Sequence, residues 1–224
     1  LADPRWCRKA FSGREDEIRR CIGCLACFGE IVKCRRVKCA VNPLTGRERE
    51  FAHPVKNGAG RPVAVIGGGP AGIEAALTLK ERGFAPVIFE EGTTLGGTLN
   101  TADKGYGKEK ITRCTRSLVR LTEAAGIETR LGRRATVESV AAISPCGVFV
   151  ACGAEPLVPP LPGIDGKNVC TAEDVLLGRV SPRGAVAVIG SGMTGLETAE
   201  MLAAAGCPLT VVEMLPSLGP GMYP

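Results

Sequence analysis

Aromatic side chains are scarce in this chain, with six Phe, two Tyr and one Trp among 224 residues. An aromatic-rich β-sandwich is therefore a poor expectation. Histidine is scarcer still: His53 stands alone, set before Pro54 in a loop, and is given no catalytic or metal-binding role. No apolar run reaches the ~20 residues that a membrane-spanning helix needs. The opening Leu-Ala-Asp-Pro-Arg-Trp contains no signal-peptide core. A cytoplasmic protein without a membrane partner is expected. Net charge is a modest +5, and although half of the 28 Lys and Arg lie in the first 61 residues, no rings accompany them on which bases could stack. A small-molecule substrate, not nucleic acid, is the expected partner. A homo-oligomer is left open.

Glycine, by contrast, is abundant at 30 residues within an ordinary mixture of 45% apolar and 23% charged residues. That balance suits an α/β protein with many tight strand-to-helix turns, where backbone passes close to a ligand. Cysteine is abundant too, at 11 residues. Clustered thiols in a reducing compartment serve as metal ligands or redox centres more often than as structural disulfides.

Five of those thiols fall in "CIGCLACFGEIVKCRRVKC", as Cys21, Cys24, Cys27, Cys34 and Cys39. A disulfide knot, a zinc site, an iron–sulfur cluster and a redox-active Cys-x-x-Cys all compete for the segment. Zinc would take two separated pairs, Cys21 with Cys24 and Cys34 with Cys39. The interleaved basic residues would offset the charge of ligated thiolates. Cys7, Cys114, Cys146, Cys170 and Cys207 read as buried small apolar residues.

The chain also repeats itself. "VAVIGGGPAGIEAALTLKERGFAPVIFEE" from Val63 runs in register with "VAVIGSGMTGLETAEMLAAAGCPLTVVEM" from Val186 at an offset of 123 residues. Each copy carries G-x-G-x-x-G between a β-branched strand and an amphipathic helix, with an acid eighteen residues past the last glycine. The first glycine permits the turn, the second admits a pyrophosphate to the backbone, and the third lets helix pack on strand. The helix N-terminus then offers free amides to the phosphates, and the acid accepts from ribose hydroxyls. The expected nucleotide contacts are Gly67, Gly69, Ala71, Gly72 and Glu90 in the first copy and Gly190, Gly192, Gly195 and Glu213 in the second.

The copies differ downstream. "GTTLGGTLN" after Glu90 brings Gly96, Gly97 and Leu99 along an extended cofactor, so the first copy is assigned FAD and the second a nicotinamide dinucleotide. Met214 and Leu215 follow Glu213 with no Lys or Arg to receive a 2′-phosphate, which favours NADH over NADPH. Between the copies, "EKITRCTRSLVRLTEAAG" predicts a helix with Ile111, Leu118, Leu121 and Ala125 as its apolar face, and "GIETRL" a short strand. "GVFVACG" predicts a buried strand ending at Cys152-Gly153, and Val158 to Pro162 an extended linker.

These stretches, with "ADPRWCRKAFSGREDEIRRCIGCLACF", "CAVNPLTGRE" and "ACGAEPLVPPLPG", resemble the iron–sulfur flavoproteins of the 2,4-dienoyl-CoA reductase, 2-enoate reductase and trimethylamine dehydrogenase type, over nearly the whole chain. The resemblance implies a [4Fe-4S] cluster on Cys21, Cys24, Cys27 and Cys39, with Cys34 a spare. It also implies an FMN in a TIM barrel upstream of this sequence. The implied organisation is the end of that barrel at 1–18, the cluster segment and linker at 19–62, an incomplete FAD-binding domain at 63–180, and the start of an NAD(P)-binding domain at 181–224. The implied activity moves electrons between NAD(P)H, FAD, the cluster and FMN to reduce an activated C=C bond such as an enoate or dienoyl-CoA. Amine dehydrogenation is the alternative within the family, and a zinc-stabilised nucleotide-binding module the alternative outside it. The resembled proteins read Ala-Thr-Gly where Ala151, Cys152 and Gly153 stand here.

Overall fold

Parallel strands wound with helices dominate the computed structural model, which describes residues 1–51 and 53–219. Two compact units emerge, one of residues 1–100 with 109–153, the other of 101–108 with 154 onward. The thiol segment and the first nucleotide-binding motif thus share a unit.

In that first unit, short helices α1 (Trp6–Phe11), α2 (Ala26–Val32) and α3 (Glu48–Phe51) precede β1 (Pro62–Ile66), α4 (Pro70–Glu81) and β2 (Ala85–Phe89). After α5 (Leu99–Ala102) come α6 (Glu109–Ala124), β3 (Glu128–Arg130), α7 (Val137–Ala141) and β4 (Val148–Val150). The strands form one parallel sheet in the order β3-β2-β1-β4, with Val65 opposite Ile88 and Phe149. The central strand β1 is covered on both faces, as its unbroken apolar run requires. Val63 and Val65 pack with Ile73, Ala76 and Leu79 of α4 and Leu118 of α6, while Ala64 joins Val87 and Phe89 on the other face.

Three sequence expectations need correction. β4 forms, but Val148, Phe149 and Val150 are all exposed, because it is an edge strand that pairs with β1 alone. Helix α6 turns the expected stripe inward, with Leu118 buried, Ala125 packed on the core and Ile111 and Leu121 half-buried, but Cys114, Thr115, Ser117 and Thr122 are buried as well, so the inner face is broader and more polar than expected. Polar residues occupy that face without loss because each hydroxyl donates to the carbonyl four residues back: Thr115 to Ile111 at 3.1 Å, Ser117 to Arg113 at 2.9 Å and Thr122 to Leu118 at 2.9 Å. Of the thiols expected inside, Cys114 alone is buried; Cys7, Cys146 and Cys170 are exposed and Cys207 is half-buried. Cys7 lies on a short surface helix and Cys146 and Cys170 in loops, where sheet and helix leave no interior to occupy.

The second unit contains α8 (Ala172–Leu176), β5 (Val186–Ile189), α9 (Met193–Ala204) and β6 (Leu209–Val212). β5 and β6 are parallel, with Val188 opposite Val211, and α9 buries Ala199 and Leu202. Lys108 reaches Glu197 of α9 at 2.5 Å and so draws residues 101–108 into this unit. Thr171 opens α8 with a capping box, its hydroxyl accepting from the Asp174 amide. Among the described residues no helix is long and apolar enough to cross a membrane.

Candidate functional site: two nucleotide loops and a thiol pocket

Gly67 follows strand β1; its amide donates to Phe89 O at 2.8 Å, and its φ of 105° is one only glycine adopts freely. The chain can then turn straight into α4. The third glycine of the motif is fixed by packing, since a Cβ on Gly72 would lie 1.9 Å from Gly67 O, and one on Gly195 2.1 Å from Gly190 O. The second glycine is different. Among the described residues, a Cβ on Gly69 would meet only Gly97 Cα, at 3.9 Å, and one on Gly192 would meet nothing within 4 Å. Both faces are open for a phosphate to approach the helix N-terminus, where Ala71 is exposed.

The second glycine-rich loop joins the first directly. Gly96 donates to Gly68 O at 2.9 Å, and a side chain on Gly97 would strike Gly69 Cα at 2.9 Å. Gly67, Gly69, Gly72, Gly96 and Gly97 therefore lie together. Leu99 follows at the start of α5, half-buried against the core.

Each acid sits at the end of its second strand and receives amides. The Glu90 carboxylate accepts from the Gly68 amide at 2.6 Å and the Gly92 amide at 2.7 Å. Glu213 accepts from the Ser191 hydroxyl at 2.6 Å, the Ser191 amide at 2.9 Å and the Leu215 amide at 2.9 Å. These donors, the Ser191 hydroxyl foremost, hold Glu213 down to about 2. Ser191 is fully buried and its oxygen also accepts from the Gly219 amide at 3.2 Å. Sequence reading missed Ser191, although the contrast of Gly68 with Ser191 between otherwise matching copies marks the position.

The thiol segment turns tightly. Gly23 (φ 70°) and Leu25 (φ 55°) are both left-handed and flank Cys24, and the Gly23 amide donates to Cys21 Sγ at 3.3 Å. Helix α2 then carries Cys27, while Cys39 returns in an antiparallel bridge with Asn42. Buried Asn42 pins that return, donating to Leu1 O at 2.7 Å and accepting from the Leu44 amide at 3.1 Å. Cys21, Cys24, Cys27 and Cys39 line one cavity with Ile22, Leu25, Ala40 and Val41. Cys34 does not line it. It terminates α2 in the left-handed conformation (φ 51°), donating to Ile31 O at 2.9 Å while Arg35 donates to Glu30 O at 2.8 Å. That is a helix C-terminal motif whose left-handed place glycine usually fills. Among the described residues, no three His, Cys, Asp or Glu side chains are gathered so as to hold a single metal ion.

Comparison with known proteins gives this geometry a family. Residues 61–224 match the family model described as pyridine nucleotide-disulphide oxidoreductase. Over 230 aligned residues the chain is 41% identical to NADH oxidase of Thermoanaerobacter brockii, covering 100% of this chain and 35% of the relative. It is 39% identical to bilirubin reductase of Mediterraneibacter gnavus (strain CC55_001C), covering 96% and 34%. The solved structure of 2-naphthoyl-CoA reductase with 2-naphthoyl-CoA superimposes with a TM-score of 0.91 at 30% identity, over 97% of this chain and 33% of that one. The chain thus spans about a third of the length of the relatives it matches. It belongs to the pyridine nucleotide-disulphide oxidoreductases and, with these relatives, to the 2,4-dienoyl-CoA reductase and trimethylamine dehydrogenase family of flavin-dependent oxidoreductases.

Proposed function

We propose that this chain is the electron-transfer part of an NAD(P)H-dependent reductase, in which FAD binds at Gly67–Gly72 and Gly96–Gly97, NADH at Gly190–Gly195, and a [4Fe-4S] cluster on Cys21, Cys24, Cys27 and Cys39. Bound there, a flavin would supply two-electron chemistry towards NADH, and a cluster on the thiols would supply one-electron chemistry. The reaction served is reduction of an activated C=C bond, such as that of an enoate or a dienoyl-CoA, at an FMN. That FMN and the substrate pocket are assigned to no residue of this chain.

One observation carries the cluster assignment: the four thiols line a common cavity and the fifth, Cys34, is spent on a helix terminus. Cys34, which the two-pair zinc set needs, does not line that cavity. A four-iron cluster spreads its thiolates farther than a single tetrahedral ion, whose sulfurs stand at about 2.3 Å from the metal. The chain supplies the rest. Amides at the starts of α4 and α9 would receive phosphate oxygens, and Glu90 and Glu213 would accept from ribose hydroxyls. With no cation beside Glu213 among its bonded partners, a 2′-phosphate would meet an ionised carboxylate.

The division of the two nucleotides is tested by substitution in the full-length protein. Glu90→Ala lowers flavin content, whereas Glu213→Ala leaves flavin in place and weakens NADH. Losing a hydrogen bond to a charged group costs about 1.5–3 kcal/mol, or roughly tenfold to a hundredfold in affinity. Equal flavin loss in both variants contradicts the assignment.

A further inference from the structure

Arg19 stands two residues before Cys21 and makes three separate attachments. Its backbone amide donates to Asp3 Oδ2 at 3.0 Å, one guanidinium nitrogen donates to Val41 O at 3.1 Å, and the other pairs with Glu74 Oε2 at 2.7 Å. Val41 is two residues past Cys39, and Glu74 is two residues past Gly72 on α4. One side chain therefore joins both strands of the thiol loop to the helix whose N-terminus faces the first nucleotide site. The pair is largely sheltered, with the two side chains 18% and 28% exposed.

The surroundings reinforce the attachment. Asp3 also accepts from the Arg5 amide at 2.9 Å and from Lys9 Nζ at 2.6 Å, so the residue that fixes the Arg19 backbone is itself held from three sides. Burial works to raise its pKa, but the Lys9 ammonium and the Arg19 and Arg5 amides outweigh it and hold it below the usual value. Ile22 and Val41, which line the thiol cavity, pack on the core that contains Ile73 of α4 and Cys114 and Leu118 of α6. The cavity wall is thus also the wall of the nucleotide unit. The second copy has a parallel: Glu197, which matches Glu74 in the repeat, pairs with Lys108 and draws in residues 101–108.

We propose that Arg19 and Glu74 are positioning residues that clamp the thiol loop to the first nucleotide-binding helix, so that the pocket of Cys21, Cys24, Cys27 and Cys39 is formed before any metal arrives. This rests on the reading of those thiols as ligands, but the clamp is a property of the polypeptide alone. A tethered loop loses less conformational freedom on capturing its ligand than a free one. It also keeps whatever the thiols hold at a fixed distance from the nucleotide at Gly67–Gly72.

The experiment follows each thiol by mass spectrometry during iodoacetamide alkylation of the metal-free full-length protein, with Cys146 as an exposed reference outside the loop. Arg19→Ala and Glu74→Ala should each speed alkylation of the half-buried Cys39 several-fold and leave Cys146 unchanged. The exchanged double variant, Arg19→Glu with Glu74→Arg, should recover much of the protection that Arg19→Glu alone loses. Unchanged rates in the single variants would overturn the clamp. Uniform acceleration that includes Cys146 would overturn it as well, because the pair would then serve general folding only. Because this readout needs no metal, it is independent of the iron content of the wild-type protein, on which the cluster reading stands or falls.

Discussion

The Ser191 hydroxyl donates to Glu213 Oε2 at 2.6 Å while the backbone amide of the same serine donates at 2.9 Å. The matching residue of the first copy, Gly68, offers Glu90 its amide alone. One extra oxygen therefore separates two acids that occupy equivalent places.

That difference has a titration signature. Glu213 is held at about 2 against an ordinary 4.5, so its folded-state pKa is depressed. Its contribution to stability is present in full above the unfolded value and fades as pH falls from 4.5 towards 2. Carboxylate titration by NMR should find Glu213 ionised at pH 3.5, and Ser191→Ala should move the midpoint up. A wild-type midpoint near 4.5 contradicts the bonding described.

Gly72→Ala brings a methyl group against Gly67 O, where the Cβ would stand at 1.9 Å. Backbone has to give way, at a cost of about 1–3 kcal/mol by analogy with overpacked cores. Thermal unfolding should drop by several degrees and flavin affinity should fall with it. Gly69→Ala meets nothing closer than 3.9 Å, so it should spare stability while still obstructing the phosphate face. Equal destabilisation by both contradicts the separate roles given to the two glycines.

Cys34 holds a left-handed conformation that costs an L-residue about 1–2 kcal/mol. Cys34→Gly should therefore stabilise the protein by about 1 kcal/mol in denaturant unfolding, since glycine takes that conformation freely. A clear loss of stability would mean that the thiol makes a contact worth more than the strain.

The parts of this fold that were legible in sequence are those written locally. The strands Val63–Ile66 and Val186–Ile189, the turns at Gly67 and Gly190, and the acids at Glu90 and Glu213 all follow from short-range spacing repeated at a fixed offset. Val148–Val150 was legible as a strand but not as an exposed edge, because exposure depends on which strands lie beside it. The inner face of α6 is wider than its apolar stripe because Thr115, Ser117 and Thr122 satisfy their hydroxyls on their own helix and so behave as core residues. Arg19 with Glu74 joins residues 55 apart in sequence, and Ser191 with Glu213 residues 22 apart. Such partners are chosen by topology, which no local pattern encodes.

The central claim is that Cys21, Cys24, Cys27 and Cys39 form one ligand set while Cys34 serves the end of α2. Its most direct test is iron and acid-labile sulfide per chain in anaerobically purified full-length protein carrying serine at each of the five positions in turn. Serine at Cys21, Cys24, Cys27 or Cys39 should deplete both, and serine at Cys34 should leave both at the wild-type level. Iron lost from the Cys34 variant and kept in the Cys27 variant, or zinc in place of iron in the wild-type protein, would contradict the account.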